Sequence, residues 1–392
     1  MATTSNADTR KASGHRNLVA ACVAHALHDG YTDGLYAFLP VWQSQFGLSY
    51  AGLALVRALY SGTMGSLQVP ANKLVRSLSS SAALGLATLI AAAGFLIMAL
   101  PLGFAGLCIG LVVAGAGSSV QHPRGSLLVT ETYAPASRSA LGIYNFSGDL
   151  GKATLPAAAA ILLSFVAWRP VVGLMAVLGF FVAFGLFAWI PQKGTSKSVQ
   201  NKPSLAASTR SGFPLLMTIG AFDTATRMGY LLFLPLLLHA RGGTSPDVGL
   251  GLALLFLGGA LGKAACSWLG ERVGVIGSVV MTEIATALLI VFTLYLPLEL
   301  IFIVLPFLGI ALNGTSSVLY GTVPELAPNG DVGRAFALFY TGVLGAGGLA
   351  PIAYGAIADH SSQSVGILAA AVTALSIVPM ALGLRRFLQI VR

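Results

Sequence analysis

Charge is what this sequence has least of. Of 392 residues, 22 are Lys or Arg and 13 are Asp or Glu, 9% together, against about a quarter in soluble domains. With 56% hydrophobic residues and a mean hydropathy of +0.82, that scarcity excludes a water-soluble enzyme and a disordered chain. Cysteine is scarce too. Cys22, Cys108 and Cys266 stand at unrelated spacings inside apolar stretches, which excludes a disulfide framework or a zinc site and leaves them packing roles. Ten-residue apolar/polar alternations are missing, so a membrane barrel is excluded. No Gly-x-Ser-x-Gly, His-Glu-x-x-His or Walker sequence occurs. Neither enzymatic activity, a cofactor nor a metal is therefore expected.

What is present is a series of long apolar runs. No Asp, Glu, Lys or Arg lies between Arg76 and Arg124, Arg169 and Lys193, Glu299 and Glu325, or Arg334 and Asp359. A spanning helix needs about 20 residues, and Pro101 and Gly103 divide the first run in two. Read this way, the chain is an all-α integral membrane protein. Six helices are expected near 17–40, 50–72, 79–100, 103–131, 138–165 and 169–190, and six more near 213–240, 246–269, 275–297, 299–326, 332–358 and 363–385. The implied organisation is a tail over 1–16, a bundle over 17–190, a Lys-, Ser- and Pro-rich linker over 191–212, a second bundle over 213–385 and a tail over 386–392.

Fifteen basic residues fall on one side of these spans, among them Arg10, Lys73, Arg76, Arg138, Lys193, Arg272, Arg334 and Arg385, and only Arg169 and Arg241 fall on the other. The positive-inside rule then puts both termini and the linker in the cytoplasm. The net charge of +9 reads as this topology, with the basic loops facing lipid headgroups, and not as nucleic-acid binding. No cleavable signal peptide is expected, because His25, His28, Asp29 and Asp33 interrupt the first apolar segment.

The chain also repeats itself at half its length. Ser49 falls on Ser245, Arg76 on Arg272 and Tyr144 on Tyr340, while Gly117-Ser118-Ser119-Val120 comes within a few positions of Gly314-Thr315-Ser316-Ser317-Val318. Two related six-helix bundles describe a pseudo-twofold transporter with its substrate site between the halves.

His25-Ala26-Leu27-His28-Asp29-Gly30 with Leu39-Pro40 and Phe46-Gly47-Leu48-Ser49 resembles the first helix and loop of the fosmidomycin-resistance branch of the major facilitator superfamily. Gly115 through Pro123 is similar to that branch's fourth-helix motif, and Gly347-Gly348 through Asp359-His360 to its eleventh helix. The resemblance implies the major facilitator fold and drug:proton antiport in the inner membrane. Arg124 stands where the branch usually has Glu, and Gln121 where it has Phe. The superfamily's Gly-x-x-x-Asp-Arg-x-Gly loop survives as Gly270-Glu271-Arg272-Val273-Gly274, whereas Ala71 through Arg76 has lost it.

Ionisable residues within spans cost at least about 2.5 kcal/mol each and mark functional pathways. His25, Asp29 and Asp33 recur every four residues and share one face of the first helix with Tyr36 close by. They are the expected proton-coupling groups, with Asp29 central; a static hydrogen-bond network is the alternative. Asp149 and Lys152, and Asp223 and Arg227, are spaced to pair along their own helices. Together with Tyr36, His122 and Arg124 they form the expected substrate-binding set. His122 and Arg124 lie about 200° apart on a regular helix, so both face one cavity only if Pro123 bends the backbone. Arg57 and Lys263, nearer helix ends, are expected to snorkel. Arg76, Glu271 and Arg272 are the expected cytoplasmic gate.

The expected function is a secondary active transporter, a monomer with a small-molecule substrate, protons and the bilayer as partners. It exports an anionic or zwitterionic drug or metabolite in exchange for protons by alternating access. Proton-coupled uptake of an organic anion is the alternative within this fold, and a non-transporting membrane sensor or scaffold is the alternative outside it.

Overall fold

The computed structural model describes residues 2–133, 137–189 and 212–388. Of the expected 191–212 linker only residue 212 is described, and of the expected 386–392 tail residues 386–388, which continue the last helix, while 389–392 lie outside the described residues. Thirteen α-helices and short 3-10 turns make up the described residues, which contain no strand. The helices are α1 Ala2–Gly34, α2 Leu39–Phe46, α3 Tyr50–Leu74, α4 Ser80–Ala99, α5 Gly103–Ser118, α6 Gln121–Tyr133, α7 Ser137–Leu162, α8 Trp168–Trp189, α9 Phe213–Ala240, α10 Ser245–Thr293, α11 Leu298–Thr322, α12 Val332–His360 and α13 Gln363–Leu388.

Eight described segments are long and apolar enough to cross a membrane: α4, α5 with α6, α8, the two parts of α10, α11, α12 and α13. The long helices outside that set are α1, α3, α7 and α9. These carry His25, Asp29 and Asp33, then Arg57, then Asp149 and Lys152, then Asp223 and Arg227. Their polar load lowers the hydropathy of helices otherwise of spanning length.

Helix boundaries follow local chemistry. The Ser79 hydroxyl accepts from Ala82 N at the start of α4, and the Asp331 carboxylate accepts from Arg334 N at the start of α12. Asp247 accepts from Thr244 N at 2.7 Å at the start of α10. Each satisfies an N–H group that a first helical turn leaves without a partner. Gly274 adopts φ 77° and kinks the 49-residue α10, a conformation that costs glycine nothing and other residues a steric clash. The sequence reading places a loop there.

Two further departures bear on the site. The span expected over 103–131 is present as one stretch, Gly103–Tyr133, whose helix is interrupted by a turn after Ser118 before α6 begins at Gln121. Pro123 thus falls in a first turn, where its missing N–H is tolerated. Second, residues 39–46 form a short helix instead of a loop, with Leu39 and Trp42 buried.

The chain divides into two compact units. The first comprises residues 1–38 and 56–198; there α1 packs on α6 and α7, and α4 on α5, α6 and α8. The second comprises residues 39–55 and 199–392, where α10 packs along α11 and α13, and α9 against α12 and α13. Residues 39–55 therefore group with the second unit, although they interrupt the first in sequence. One contact there is specific: the Asp359 carboxylate accepts from Tyr50 N at 2.7 Å and Ala51 N at 3.0 Å, capping the first turn of α3.

Candidate functional site

Within the first unit, α1, α6 and α7 bring three ionisable side chains, His25, His122 and Lys152, together around Asp29. One carboxylate oxygen, Oδ2, lies 3.3 Å from His25 Nε2 and 3.3 Å from Lys152 Nζ; the other, Oδ1, lies 3.4 Å from His122 Nε2. His25 and Asp29 are buried, whereas the side chains of Lys152 and His122 keep 30% and 42% of their surface exposed. The i to i+4 spacing on α1 accounts for the His25–Asp29 contact. Lys152 arrives because α7 lies against α1, and His122 because α6 does.

Glycine permits that approach. A methyl group on Gly151 would run into the Ala26 carbonyl, and one on Gly148 would sit 2.7 Å from both Asp29 Oδ2 and His25 Nε2. We expect Gly148→Ala to push His25 and Asp29 apart and lower proton-driven transport at least about ten-fold, about 1.4 kcal/mol in barrier. Gly142→Ala, on the same helix with nothing within 4 Å, should match the parent in the same proteoliposome assay. Equal loss in both variants would mean that α7 tolerates no added methyl and that the cluster has no special need of the space.

The tautomer of His25 follows from its other partner. Nδ1 lies 2.8 Å from the Tyr144 carbonyl oxygen, and the imidazole stacks on the Tyr144 ring with centroids 4.0 Å apart. A carbonyl only accepts, so Nδ1 carries the hydrogen. In a neutral ring Nε2 then turns a lone pair toward a carboxylate lone pair, which is repulsive. A proton on Nε2 or on Oδ2 converts the contact into a hydrogen bond. The contact is therefore favourable only with a proton on one of these two atoms, and Lys152 and His122 are the other groups that face the carboxylate.

His25, Asp29 and His122 are also a group whose ligand atoms, within 4.8 Å of one another, could hold a metal ion. The Lys152 ammonium already meets the same carboxylate oxygen, and its charge repels a second cation there. The donor set thus carries a positive charge that opposes a metal ion.

The remaining predicted residues lie around and away from this cluster. Asp33, a turn further along α1, is buried, as are Asp149 and Tyr36. Arg124 is buried and turned to α3, its Nε donating to Asn72 Oδ1 at 2.8 Å and Nη2 to the Asn72 carbonyl at 3.2 Å. His122 and Arg124 therefore have different partners, as their angular separation demands. In the second unit, Asp223 on α9 is buried and hydrogen-bonds Glu283 on α10. Arg227 reaches Asn313 Oδ1 and Thr224 Oγ1, both at a long 3.5 Å, and its enclosed Nε meets no hydrogen-bond partner. Of the expected gate, Arg76 is exposed in the 3-10 turn after α3, Arg272 stacks over Trp268 at 5.1 Å, and the Glu271 side chain lies outside the described residues.

Three residues outside the expected site set stand beside its members. Tyr144 fixes the His25 tautomer through its backbone, which no side-chain pattern signals. Glu283, in the second part of α10, pairs with Asp223 on α9, a partner 60 positions away in sequence. His28 forms a buried chain in which Nδ1 meets Ser118 Oγ at 2.9 Å and Nε2 meets Thr88 Oγ1 at 3.0 Å.

The comparisons with known proteins agree with this architecture. A family model described as the Major Facilitator Superfamily matches residues 21–222 and 216–388. The Fosmidomycin resistance protein of Escherichia coli (strain K12) is 24% identical over 368 residues, covering 88% of this chain and 87% of that protein. Among solved structures, a POT family transporter in complex with 5-aminolevulinic acid superimposes with a TM-score of 0.79 at 12% identity, over 95% of this chain and 96% of that one. A bacterial homologue of the human lysosomal transporter Spinster, inward-facing and unoccupied, gives 0.69 at 16% identity, over 97% and 95%. At such identities the structural likeness shows the fold alone. The family match runs through both units and nearly the whole described chain, and on that ground this multi-pass protein belongs to the Major Facilitator Superfamily, whose members are membrane transporters and not enzymes.

Proposed function

We propose that this chain is a proton-coupled antiporter of the inner membrane, with both termini cytoplasmic, that exports a small anionic or zwitterionic compound by alternating access. The observation carrying the proton is the His25–Asp29 contact, which is attractive only when protonated, set beside Lys152 and His122. Export draws support from the relative named for fosmidomycin resistance. The substrate-facing candidates remain Tyr36, His122, Arg124, Asp149, Lys152, Asp223 and Arg227, and the cytoplasmic gate Arg76, Glu271 and Arg272.

One observation favours a second reading. Lys152 pairs with Asp29, so a proton on Asp29 frees the ammonium for an anion. Proton and anion then bind together, which is the thermodynamic signature of co-transport, whereas antiport requires them to compete. A zwitterion whose amine contends for Asp29 restores competition. The two readings differ in a sign. Substrate binding to the purified transporter in weakly buffered detergent releases protons for antiport and takes them up for symport. Proteoliposome flux with and without a pH gradient, over a library of anions, zwitterions and cations, tests the transporter reading itself. A flux indifferent to pH gradients of either direction for every compound would overturn proton coupling.

A further inference from the structure

Arg57 is a basic group that the proton site leaves unused. Its place two turns into α3 predicts snorkelling, yet the structure buries it to 7% exposure. The guanidinium carbon lies 4.7 Å from the centroid of the Tyr36 ring and 5.6 Å from that of Tyr60. Nη2 donates to the Thr32 carbonyl at 2.8 Å. Nε and Nη1 are enclosed and meet no hydrogen-bond partner. Among the described residues no carboxylate forms an ion pair with it.

A guanidinium held this way is electrostatically incomplete. Burying a charged group with unspent N–H donors is costly, and tyrosine faces return only part of that cost through cation–π attraction. Nη2 has two N–H bonds and spends one on Thr32. The other, with Nε or Nη1 beside it, leaves one two-pronged edge of the guanidinium without a hydrogen-bond partner, the donor pattern that matches two oxygens of a single oxyanion. Lysine would offer a point charge without that fork.

The surroundings tie this edge to the proton site. Thr32 Oγ1 lies 3.1 Å from Tyr60 Oη, Tyr60 Oη 2.8 Å from Ser118 Oγ, and Ser118 Oγ 2.9 Å from His28 Nδ1. Those hydrogen bonds run from the residues that hold Arg57 to the immediate neighbour of Asp29.

We propose that Arg57 is an oxyanion-binding residue for the transported compound, receiving a carboxylate, phosphate or phosphonate group on its unpaired edge. The assignment rests on the reading that the substrate carries negative charge. An anionic lipid headgroup offers the same chemistry, so the test separates the two sources. Full-length protein in nanodiscs of neutral phosphatidylcholine is titrated with inorganic phosphate and with methylphosphonate, following thermal unfolding. Phosphatidylglycerol replaces part of the lipid in a second arm.

Both soluble anions should stabilise the parent in neutral lipid. Arg57→Met should weaken their apparent affinity at least ten-fold and Arg57→Lys several-fold, with exposed Lys73→Gln unchanged. Should Arg57→Met fail to fold, Arg57→Lys and anion protection of parental Arg57 from phenylglyoxal, mapped by mass spectrometry, carry the decision. Affinity within two-fold of the parent in the Arg57 variants, with no protection of Arg57, overturns the assignment while the anionic-substrate reading survives. Stabilisation by phosphatidylglycerol with none by either soluble anion identifies a headgroup contact and overturns it too. If lipophilic cations stabilise the parent and no anion does, the anionic-substrate reading falls, and Arg57 with it.

Discussion

Replacing Asp29 with Asn is expected to abolish pH-gradient-driven transport, with initial rates in proteoliposomes falling at least about ten-fold and to the level of empty vesicles. Asparagine keeps the size of the side chain and can still meet His25 and His122, but it no longer exchanges a proton. Lys152 loses the carboxylate 3.3 Å away. Breaking a buried ion pair costs about 3–5 kcal/mol, less here because Lys152 keeps 30% of its side chain exposed. The variant should therefore be produced as a monodisperse protein, which size-exclusion chromatography checks. Asp29→Glu, retaining a titratable group on a longer stem, should recover part of the rate. Counterflow exchange at equal pH on both sides, which needs no net proton movement, should survive in Asp29→Asn. Gradient-driven flux equal to that of the parent would remove Asp29 from the coupling mechanism and return the cluster to a structural role.

The second large effect concerns anion affinity. Lys152→Met and Arg227→Met should each weaken binding of the anionic substrate found in the library screen, with Arg227 showing the larger loss. Arg227 holds its present partners at 3.5 Å, so few bonds are surrendered when a ligand oxyanion replaces them. A charge-assisted hydrogen bond is worth about 1.5–3 kcal/mol, which sets the expected loss at roughly ten- to hundred-fold. Lys152 must first give up Asp29, so its loss should be smaller and should depend on pH. On the co-transport reading the ammonium stays paired and contributes little while Asp29 is ionised, and is free to bind once Asp29 takes up a proton. Isothermal titration of parent and variants at two pH values separates these behaviours. Undiminished affinity in both variants, with lipophilic cations bound in preference, would confine Lys152 and Arg227 to neutralising their neighbouring acids.

The helical class was fixed by composition. Long runs free of charge cannot expose backbone in a bilayer except as helices, and the eight apolar spans fall where such runs occur. The face shared by His25 and Asp29 was equally legible, because a four-residue spacing on a helix is a local property. The sequence could also show that His122 and Arg124 needed different environments, since the angle between them depends on helical pitch alone.

Tertiary structure decided the partners. Lys152 and His122 meet Asp29 because α6 and α7 lie against α1, and nothing in the one-dimensional spacing sets which of several basic groups arrives. Arg57 shows the limit most plainly. Its position near a helix end predicts a side chain reaching for water, while the 3-10 turn after α1 carries Tyr36 over it. Burial is a property of neighbours distant in sequence, and it converts an ordinary arginine into a candidate anion site.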